Sequence, residues 1–229
     1  MGHLEKGLQA TRGRIDAAAR AAGRDPASVT LLAVSKTFPA TAVAAARAAG
    51  QRCFGENYVQ EAVAKIDALA GLGDIEWHLI GPLQSNKAKL AAERFDWVQS
   101  VDREKIAQAL AAARPAGRPP LSVCVQVNVS GEPTKSGVRP EEAVALATAV
   151  AALPGLRLRG IMGIPEPTAD PVQERAQFRA LAGCFRQCRD AGLAVDTLSM
   201  GMSADLEAAI AEGATMVRVG TAIFGVRPR

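Results

Sequence analysis

The sequence predicts an α/β protein built as one closed (β/α)8 barrel of the TIM type. Short apolar segments alternate with alanine-rich segments of helical period, a pattern typical of a parallel sheet covered by helices. Eight such units fit into 229 residues, since barrels of this kind run to about 250. No G-x-G-x-x-G motif follows the first apolar segment, which disfavours an open dinucleotide-binding sheet. We therefore expect residues 1–229 to form a single domain.

The elements follow from these segments in chain order. Strands are expected at 29–36, 51–55, 75–81, 95–100, 121–129, 156–162, 195–200 and 215–220. Helices are expected at 40–49, 57–70, 85–93, 103–113, 140–152, 171–191 and 203–212. Residues 1–25 should add an N-terminal helix, because an amphipathic stretch precedes the first strand. Asp102, Pro140, and Ser203 with Asp205 are residue types that favour helix starts.

Composition narrows the classes of function. The chain is 48% hydrophobic and 22% charged, with a mean hydropathy of +0.07, as in ordinary globular proteins. Its 27 basic residues are interleaved with 23 acidic ones and only 4% of residues are aromatic, which disfavours nucleic-acid binding. No apolar run reaches the roughly 18 residues of a membrane span, and the N-terminus lacks a signal-peptide pattern. We expect a cytoplasmic protein that contacts neither membrane nor nucleic acid.

The four cysteines are expected to be free thiols. Cys53 and Cys124 lie in apolar segments, where a lone cysteine usually packs as a small hydrophobic residue. Cys184 and Cys188 lie four residues apart on a predicted helix, and no second pair has the spacing of a zinc site. The sequence therefore predicts neither a disulfide nor a metal site.

Polar residues recur where the predicted strands end, at the barrel mouth where such folds carry their chemistry. Lys36 ends the first strand. A lysine among apolar neighbours loses hydration, which favours the neutral amine that attacks carbonyl groups. A lysine that simply reaches from the strand end to solvent is the alternative, and position alone leaves both open.

A second group of residues has the character of a phosphate site. Ser203 precedes the helix after the seventh strand, and Gly220 and Thr221 follow the eighth strand directly. Barrels often bind phosphate there, since backbone N–H groups converge and glycine allows close approach. An ordinary helix cap and glycine turn would look the same. Together with Lys36, this group suggests a phosphorylated aldehyde as ligand.

Long motifs resemble the YggS/PROSC family of pyridoxal 5′-phosphate (PLP)-binding proteins. They are AVSKTFP (33–39), FGENYVQEA (54–62), WHLIGPLQSNK (77–87), SVDREKI (100–106), KSGV (135–138), LRGIM (158–162) and LSMGMSADLEAAIAEGATMVRVGTAIFG (198–225). The resemblance extends from about residue 28 to residue 225. It implies a fold type III barrel like the N-terminal domain of alanine racemase, with PLP as the cofactor.

The resemblance also implies a role for each matching residue. Lys36 is expected to hold PLP as an internal aldimine and Asn57 to lie beside the ring. Arg218 is expected to face the pyridine nitrogen. The implied phosphate ligands are Ser203, Gly220 and Thr221. His78 and Met200 are carried over as further cofactor-binding residues.

Two positions depart from the family pattern. Gln99 stands where the family commonly has histidine before S-V-D, and Gly163 follows Met162 where a larger residue is usual. Neither position belongs to the lysine or phosphate motifs. The departures concern the lining of the pocket and leave the expected attachment of PLP unchanged.

The resemblance favours a PLP homeostasis protein, which buffers or delivers the cofactor, over an enzyme. An arginine at the ring nitrogen makes PLP a weaker electron sink, because guanidinium cannot be deprotonated. The family's racemase relatives add a tyrosine from a second domain, for which we expect no room after the eighth strand. The alternatives are a small racemase or lyase of fold type III, and a Schiff-base aldolase acting on a sugar phosphate. We expect a monomer that binds PLP, with other B6 vitamers and transiently bound apo-enzymes as further partners.

Two more lysines have weaker claims on the cofactor. Lys135 lies in a loop after the fifth strand, where it could accept the aldehyde transiently or attract the phosphate; a mobile surface lysine is the simpler interpretation. Lys65, on the second predicted helix of the barrel, is a still weaker candidate for the same role.

Overall fold

The computed structural model describes residues 2–132 and 135–226, and within them eight parallel strands close into a barrel. The strands follow chain order around the ring: β1 (Thr30–Val34), β2 (Cys53–Glu56), β3 (Glu76–Leu79), β4 (Trp97–Val101), β5 (Leu121–Val127), β6 (Leu156–Gly163), β7 (Thr197–Ser199) and β8 (Met216–Val219). Pairing of β1 with β8 closes the ring, in a register from Thr30 opposite Met216 to Ala33 opposite Val219. The predicted (β/α)8 fold is confirmed.

Helices alternate with the strands along the chain. They are α1 (His3–Ala21), α2 (Ala40–Ala48), α3 (Val59–Ala68), α4 (Ala88–Arg94), α5 (Glu104–Ala113), α6 (Ala143–Ala151), α7 (Pro171–Asp190), α8 (Leu206–Ala211) and α9 (Thr221–Phe224). The predicted N-terminal helix is α1, which packs against α8 and α9. Gly7 allows the close approach to α9, because a Cβ there would lie 2.7 Å from the Ala222 carbonyl oxygen.

The helix starts differ from the predicted ones by up to one turn. Asp102 lies two residues before α5, and Pro140 opens a short 3-10 turn that leads into α6. Ser203 does not open a helix, since it lies in a turn ahead of α8, whose N-cap is Asp205. The sequence does not predict α9 because four residues are too few to show a helical period.

Polar side chains lie inside the barrel and contact one another across it. Most buried apolar side chains form one large core that strands share with helices. His78, Gln99, Ser199 and Arg218 are also buried, and they lie on β3, β4, β7 and β8. The Ser199 hydroxyl donates to Gln99 Oε1 at 2.7 Å although β4 and β7 are not neighbours in the ring. These side chains therefore meet inside the barrel, below its mouth.

Candidate functional site at the barrel mouth

A cavity of about 480 Å³ opens at the carboxyl ends of the strands. (β/α)8 barrels place their active sites at this end, and the volume is typical of small-molecule pockets, roughly 300–1,000 Å³. Six of the eight predicted site residues line it: Lys36, Asn57, Ser203, Arg218, Gly220 and Thr221. Residues from both ends of the sequence thus meet at one cavity.

His78 and Met200 are not among the described residues that line this cavity. His78 lies within β3, where it pairs with Gly55 on one side and Trp97 on the other, and it is fully buried. Met200 follows β7 and packs into the large apolar core. We therefore assign neither residue a direct contact with a ligand in the cavity.

A strained turn carries Lys36. The side chain is half-buried and follows β1 by two residues. The next residue, Thr37, has a φ of 69°, a left-handed conformation that is rare for a β-branched residue and costs about 1–3 kcal/mol. Glu61 Oε1 accepts a hydrogen bond of 2.6 Å from the Thr37 N–H, and Lys65 Nζ donates to the Ser35 carbonyl oxygen at 2.8 Å. Side chains of α3 thus hold the turn on both sides of Lys36.

The Lys65 ammonium is the centre of this support. Its Nζ lies within 2.8 Å of three oxygens, the Ser35 carbonyl, Glu56 Oε1 and Glu61 Oε1, which match its three N–H donors. Burial raises the pKa of the Glu56 carboxyl, and hydrogen bonds from Lys65 and Ser35 oppose that rise. Lys65 does not line the mouth cavity in the described part of the chain. Its contacts give it a structural role and do not support the predicted acceptance of an aldehyde.

Arg218 brings a buried cation to the cavity. Its Nη1 donates to the Ser199 hydroxyl and its Nη2 to the Gly163 carbonyl oxygen, each at 2.8 Å. Burial lowers the pKa of the guanidinium to about 10, which leaves it charged at neutral pH. These bonds use two of the five N–H donors of the side chain, which leaves donors for a ligand acceptor.

Backbone and hydroxyl donors gather at the edge formed by β8, α9 and the turn before α8. A Cβ at position 220 would lie 3.1 Å from the Val34 carbonyl oxygen, so Gly220 lets this edge pack closely on β1. Thr221 begins α9, where N–H groups lack partners within the helix. Arg14 of α1 donates to the Ser203 carbonyl oxygen at 2.9 Å and so ties this turn to the N-terminal helix. Such a group of donors suits an anion.

Comparison with known proteins identifies the family. A family model described as the N-terminal domain of alanine racemase matches residues 7–228. A pyridoxal phosphate homeostasis protein of Pseudomonas aeruginosa is 60% identical over 227 residues, covering 99% of this chain and 97% of that protein. The chain belongs to the pyridoxal phosphate homeostasis protein family.

A second relative and a solved structure agree with this chain in length and fold, respectively. The pyridoxal phosphate homeostasis protein of Escherichia coli K12 is 53% identical over 229 residues, covering 99% of this chain and 98% of that protein. The structure of PipY from Synechococcus elongatus, solved with PLP bound, has a TM-score of 0.83 and 39% identity. It covers 97% of this chain and 100% of PipY. The predicted family resemblance is confirmed.

Several lining residues were not predicted as site residues. Gln126 and Asn128 reach the cavity from β5 and the loop after it, and Ile80 and Pro82 follow β3. Asn128 lies near a predicted strand end, so its position was a usable signal; apolar residues such as Ile80 offer none. Lys135 also lines the cavity, as its loop position suggests, and forms an ion pair of 2.7 Å with Glu132.

A second cluster lies at the opposite, amino-terminal end of β2 and β3. The Cys53 sulfur, a Glu76 carboxylate oxygen and a His78 ring nitrogen lie within 4.8 Å of one another. Glu76 Oε1 lies 3.4 Å from the Cys53 thiol and 2.8 Å from His78 Nε2, so hydrogen bonds join the three. Burial, reinforced by the Glu76 carboxylate, raises the pKa of Cys53 to about 12, and the thiol keeps its proton. Sequence spacing does not reveal the cluster because it joins two strands.

The four cysteines are free. Among the described residues, no helix is both long and apolar enough to cross a membrane.

Proposed function

We propose that this chain binds pyridoxal 5′-phosphate in the mouth cavity and serves PLP homeostasis by holding and delivering the cofactor, without robust turnover. The observation that carries the proposal is the meeting of Lys36, Arg218 and the Ser203, Gly220 and Thr221 edge at one cavity. The names of its relatives and the PLP bound to PipY support it.

The residues present fit the chemical groups of this ligand. When bound, PLP supplies an aldehyde that condenses with an amine, an aromatic ring with a basic nitrogen, and a phosphate. We assign covalent attachment to the Lys36 amine, the ring nitrogen to the Arg218 guanidinium, and the flank of the ring to Asn57. Ser203, Gly220 and Thr221 would hold the phosphate with hydroxyl and backbone N–H donors.

The ionisable groups at the cavity support a holding role over catalysis. Among its described lining residues, only Lys36, Lys135 and Arg218 carry ionisable side chains. Arg218 donates to the ring nitrogen without protonating it, which weakens the cofactor as an electron sink. Racemisation also needs a second proton carrier, and Lys135, the remaining candidate in this lining, is paired with Glu132. We therefore infer that the protein retains PLP with little chemistry on amino acids.

Attachment at Lys36 is tested by reducing the PLP-loaded protein with borohydride and mapping its peptides. We expect the cofactor mass on the peptide that contains Lys36. Lys36→Arg keeps the charge but should weaken PLP binding by about tenfold or more, since the covalent bond is lost. Lys89→Arg is the control, because the Lys89 side chain is 79% exposed and does not line the cavity in the described part of the chain. Absence of fixation in the wild type, or fixation at Lys135 instead, would contradict the assignment.

The holding role is tested by solvent deuterium exchange at Cα of free amino acids. We expect no exchange above that of free PLP, because Arg218 would leave the ring nitrogen unprotonated and the cofactor a weak electron sink. The control is a Lys36→Arg sample with the same total PLP. Exchange that depends on Lys36 would show that the protein is an enzyme, even if PLP binding itself is correct.

A further inference from the structure

A continuous chain of hydrogen bonds runs through the barrel from the mouth cavity to its opposite end. Arg218 Nη1 donates to Ser199 Oγ at 2.8 Å, and Ser199 Oγ lies 2.7 Å from Gln99 Oε1. Gln99 Nε2 lies 2.9 Å from His78 Nδ1, and His78 Nε2 lies 2.8 Å from Glu76 Oε1. We refer to these five side chains as the interior relay. Four of them are buried, and the Glu76 side chain is 43% exposed.

The chemistry of the relay allows one direction of donation. Guanidinium only donates, so the Ser199 oxygen accepts from Arg218 and its own proton goes to Gln99 Oε1. The Gln99 amide nitrogen then faces His78 and also the Met216 sulfur at 3.1 Å, a group that only accepts. His78 Nδ1 must therefore accept, which leaves the proton on Nε2 to be donated to the Glu76 carboxylate. Each donor meets an acceptor when His78 is neutral.

The surroundings of His78 agree with this neutral form. Burial lowers the pKa of His78, and the nearby cation Arg159 lowers it further, while Glu76 and Asp96 raise it. The Cys53 thiol donates to Glu76 Oε1 at 3.4 Å. The hydrogen bond from His78 in turn holds the pKa of Glu76 down to about 2. Trp97 stacks on the imidazole with ring centroids 4.9 Å apart, and the Arg159 guanidinium lies 4.4 Å from the Trp97 ring centroid.

Protonation of His78 would conflict with the contact that holds Arg218. Two donors would then face each other between His78 Nδ1 and Gln99 Nε2. Rotation of the Gln99 amide would relieve that conflict but turn its NH2 group toward Ser199. The Ser199 oxygen would then face donors from both Gln99 and Arg218, and its own proton would lose its acceptor. The charge on His78 and the position of Arg218 are therefore linked through one amide.

We propose that Gln99 is a positioning residue for Arg218 and couples the guanidinium at the cavity floor to the protonation of His78 at the other end of the barrel. This inference rests on the proposed function only where it concerns PLP. Coupling of this kind is reciprocal, so a group that binds Arg218 also affects proton binding at His78.

Three substitutions at position 99 separate the possibilities. Gln99→His presents one acceptor and one donor and should preserve the relay. Gln99→Met keeps the volume but removes both groups. Gln99→Glu offers acceptors in both directions, so His78 should gain a proton on Nδ1 and become charged at neutral pH. Met216→Leu is the matched control, because it removes the other contact of the Gln99 amide and leaves the relay intact.

The first measurement is ¹⁵N NMR of the His78 ring in the cofactor-free protein between pH 5 and 8. At pH 7 we expect a neutral ring protonated on Nε2 in the wild type, Gln99→His and Met216→Leu, and a charged ring in Gln99→Glu. If Gln99 had only a structural role, its replacement by Glu would not change the protonation state of the His78 ring. A charged or Nδ1-protonated ring in the wild type, or a neutral ring in Gln99→Glu at pH 7, would overturn the proposal.

The second measurement is PLP affinity of the same proteins, with the absorption spectrum followed from pH 6 to 8. Gln99→Met should bind about tenfold more weakly, because the Ser199 hydroxyl would lose the acceptor that orients it toward Arg218, whereas Gln99→His and Met216→Leu should stay within about threefold. Wild-type affinity and spectrum in a folded Gln99→Met protein would refute the positioning role. If the wild type takes up no PLP, the proposed function fails, and the NMR result alone decides the relay.

Discussion

Lys65→Met is expected to lower the free energy of unfolding by about 3–5 kcal/mol at neutral pH, the cost of removing one partner of a buried ion pair. The Lys65 side chain is 7% exposed and the Glu56 side chain is fully buried, so Glu56 would lose the cation that offsets its burial. No hydrogen-bond partner reaches Glu56 Oε2 from the described residues, and the Ser35 hydroxyl, which donates to Oε1 at 2.6 Å, is a neutral donor that compensates the charge less than an ammonium does. Met has a similar length, so the loss would come from charge rather than from a cavity.

The loss should depend on pH in a defined direction. Burial already raises the pKa of Glu56 from 4.5, and removal of Lys65 would raise it further. The folded variant would then hold a proton that the unfolded chain releases above about pH 4.5. The wild-type Glu56 also keeps its proton up to its own raised pKa. The deficit relative to the wild type should therefore be smallest in acid and grow by about 1.4 kcal/mol per pH unit only between the folded-state pKa of the wild type and that of the variant.

Urea unfolding at pH 5 and pH 8 measures this difference. Glu56→Gln combined with Lys65→Met should recover part of the stability and remove most of the pH dependence, because no fully buried carboxylate is left without a cation and Glu61 is 29% exposed. Lys89→Met is the surface control, with a side chain 79% exposed, and should change stability by no more than about 0.5 kcal/mol. An equal loss at both pH values would show that the Lys65 contact is not electrostatic.

The turn at Lys36 connects this stability effect with function. Lys65 and Glu61 hold the Ser35 carbonyl and the Thr37 N–H, and Thr37 is strained. A folded Lys65→Met protein should thus also bind PLP more weakly, because the Lys36 backbone would lose part of its support. Strain at such a turn persists only while the surrounding contacts hold it.

The barrel was predictable from sequence because its signals repeat. Each apolar strand segment is followed by a helical segment, and small errors at the ends of elements do not change that order. The predictions from sequence were wrong where tertiary contacts, rather than local residue preferences, decide the position of a strand end or side chain. Strand β3 ends at Leu79, two residues before the predicted end, and His78 lies inside the barrel rather than at its mouth. Periodicity marks an apolar segment but does not show on which level of the barrel a polar residue lies.

In the candidate site, too, the sequence predicts the residues of long motifs but not the long-range contacts that support them. Residues in long motifs, such as Lys36 and Arg218, were predicted, and they line the cavity. The contacts that support them were not predictable, because each joins distant parts of the chain. Lys65 meets Ser35 across 30 residues, and Gln99 meets Ser199 across 100. A buried lysine and a buried glutamine have no sequence pattern that separates them from surface residues.

Gly160→Ala is expected to destabilise the protein by about 3 kcal/mol or more, because a side chain there would enter the neighbouring strand. Gly160 has a φ of 151° and directly follows a register shift between β5 and β6, where glycine is typical. A Cβ at this position would lie 1.9 Å from the Thr197 carbonyl oxygen of β7 and 3.2 Å from Phe185 Cε2. Backbone cannot give way by that amount without separating β6 from β7.

Separation of these two strands would also reach the cofactor site. Arg218 is held by the Gly163 carbonyl of β6 and the Ser199 hydroxyl of β7, three and two residues beyond the clash. A Gly160→Ala protein that still folds should therefore bind PLP more weakly than the wild type. Borohydride should still fix the cofactor to Lys36. Thermal unfolding and PLP titration measure the two effects on one sample.

Gly183→Ala provides the matched control for this substitution. Gly183 lies within α7, and a Cβ there meets no atom within 4 Å. Alanine in a helix interior is favoured over glycine by about 0.5–1 kcal/mol, so this variant should be slightly more stable and bind PLP normally. Equal behaviour of the two variants would mean that β6 and β7 can part without cost. Loss of stability with full PLP affinity in Gly160→Ala would instead show that the strand contacts of Arg218 do not position it.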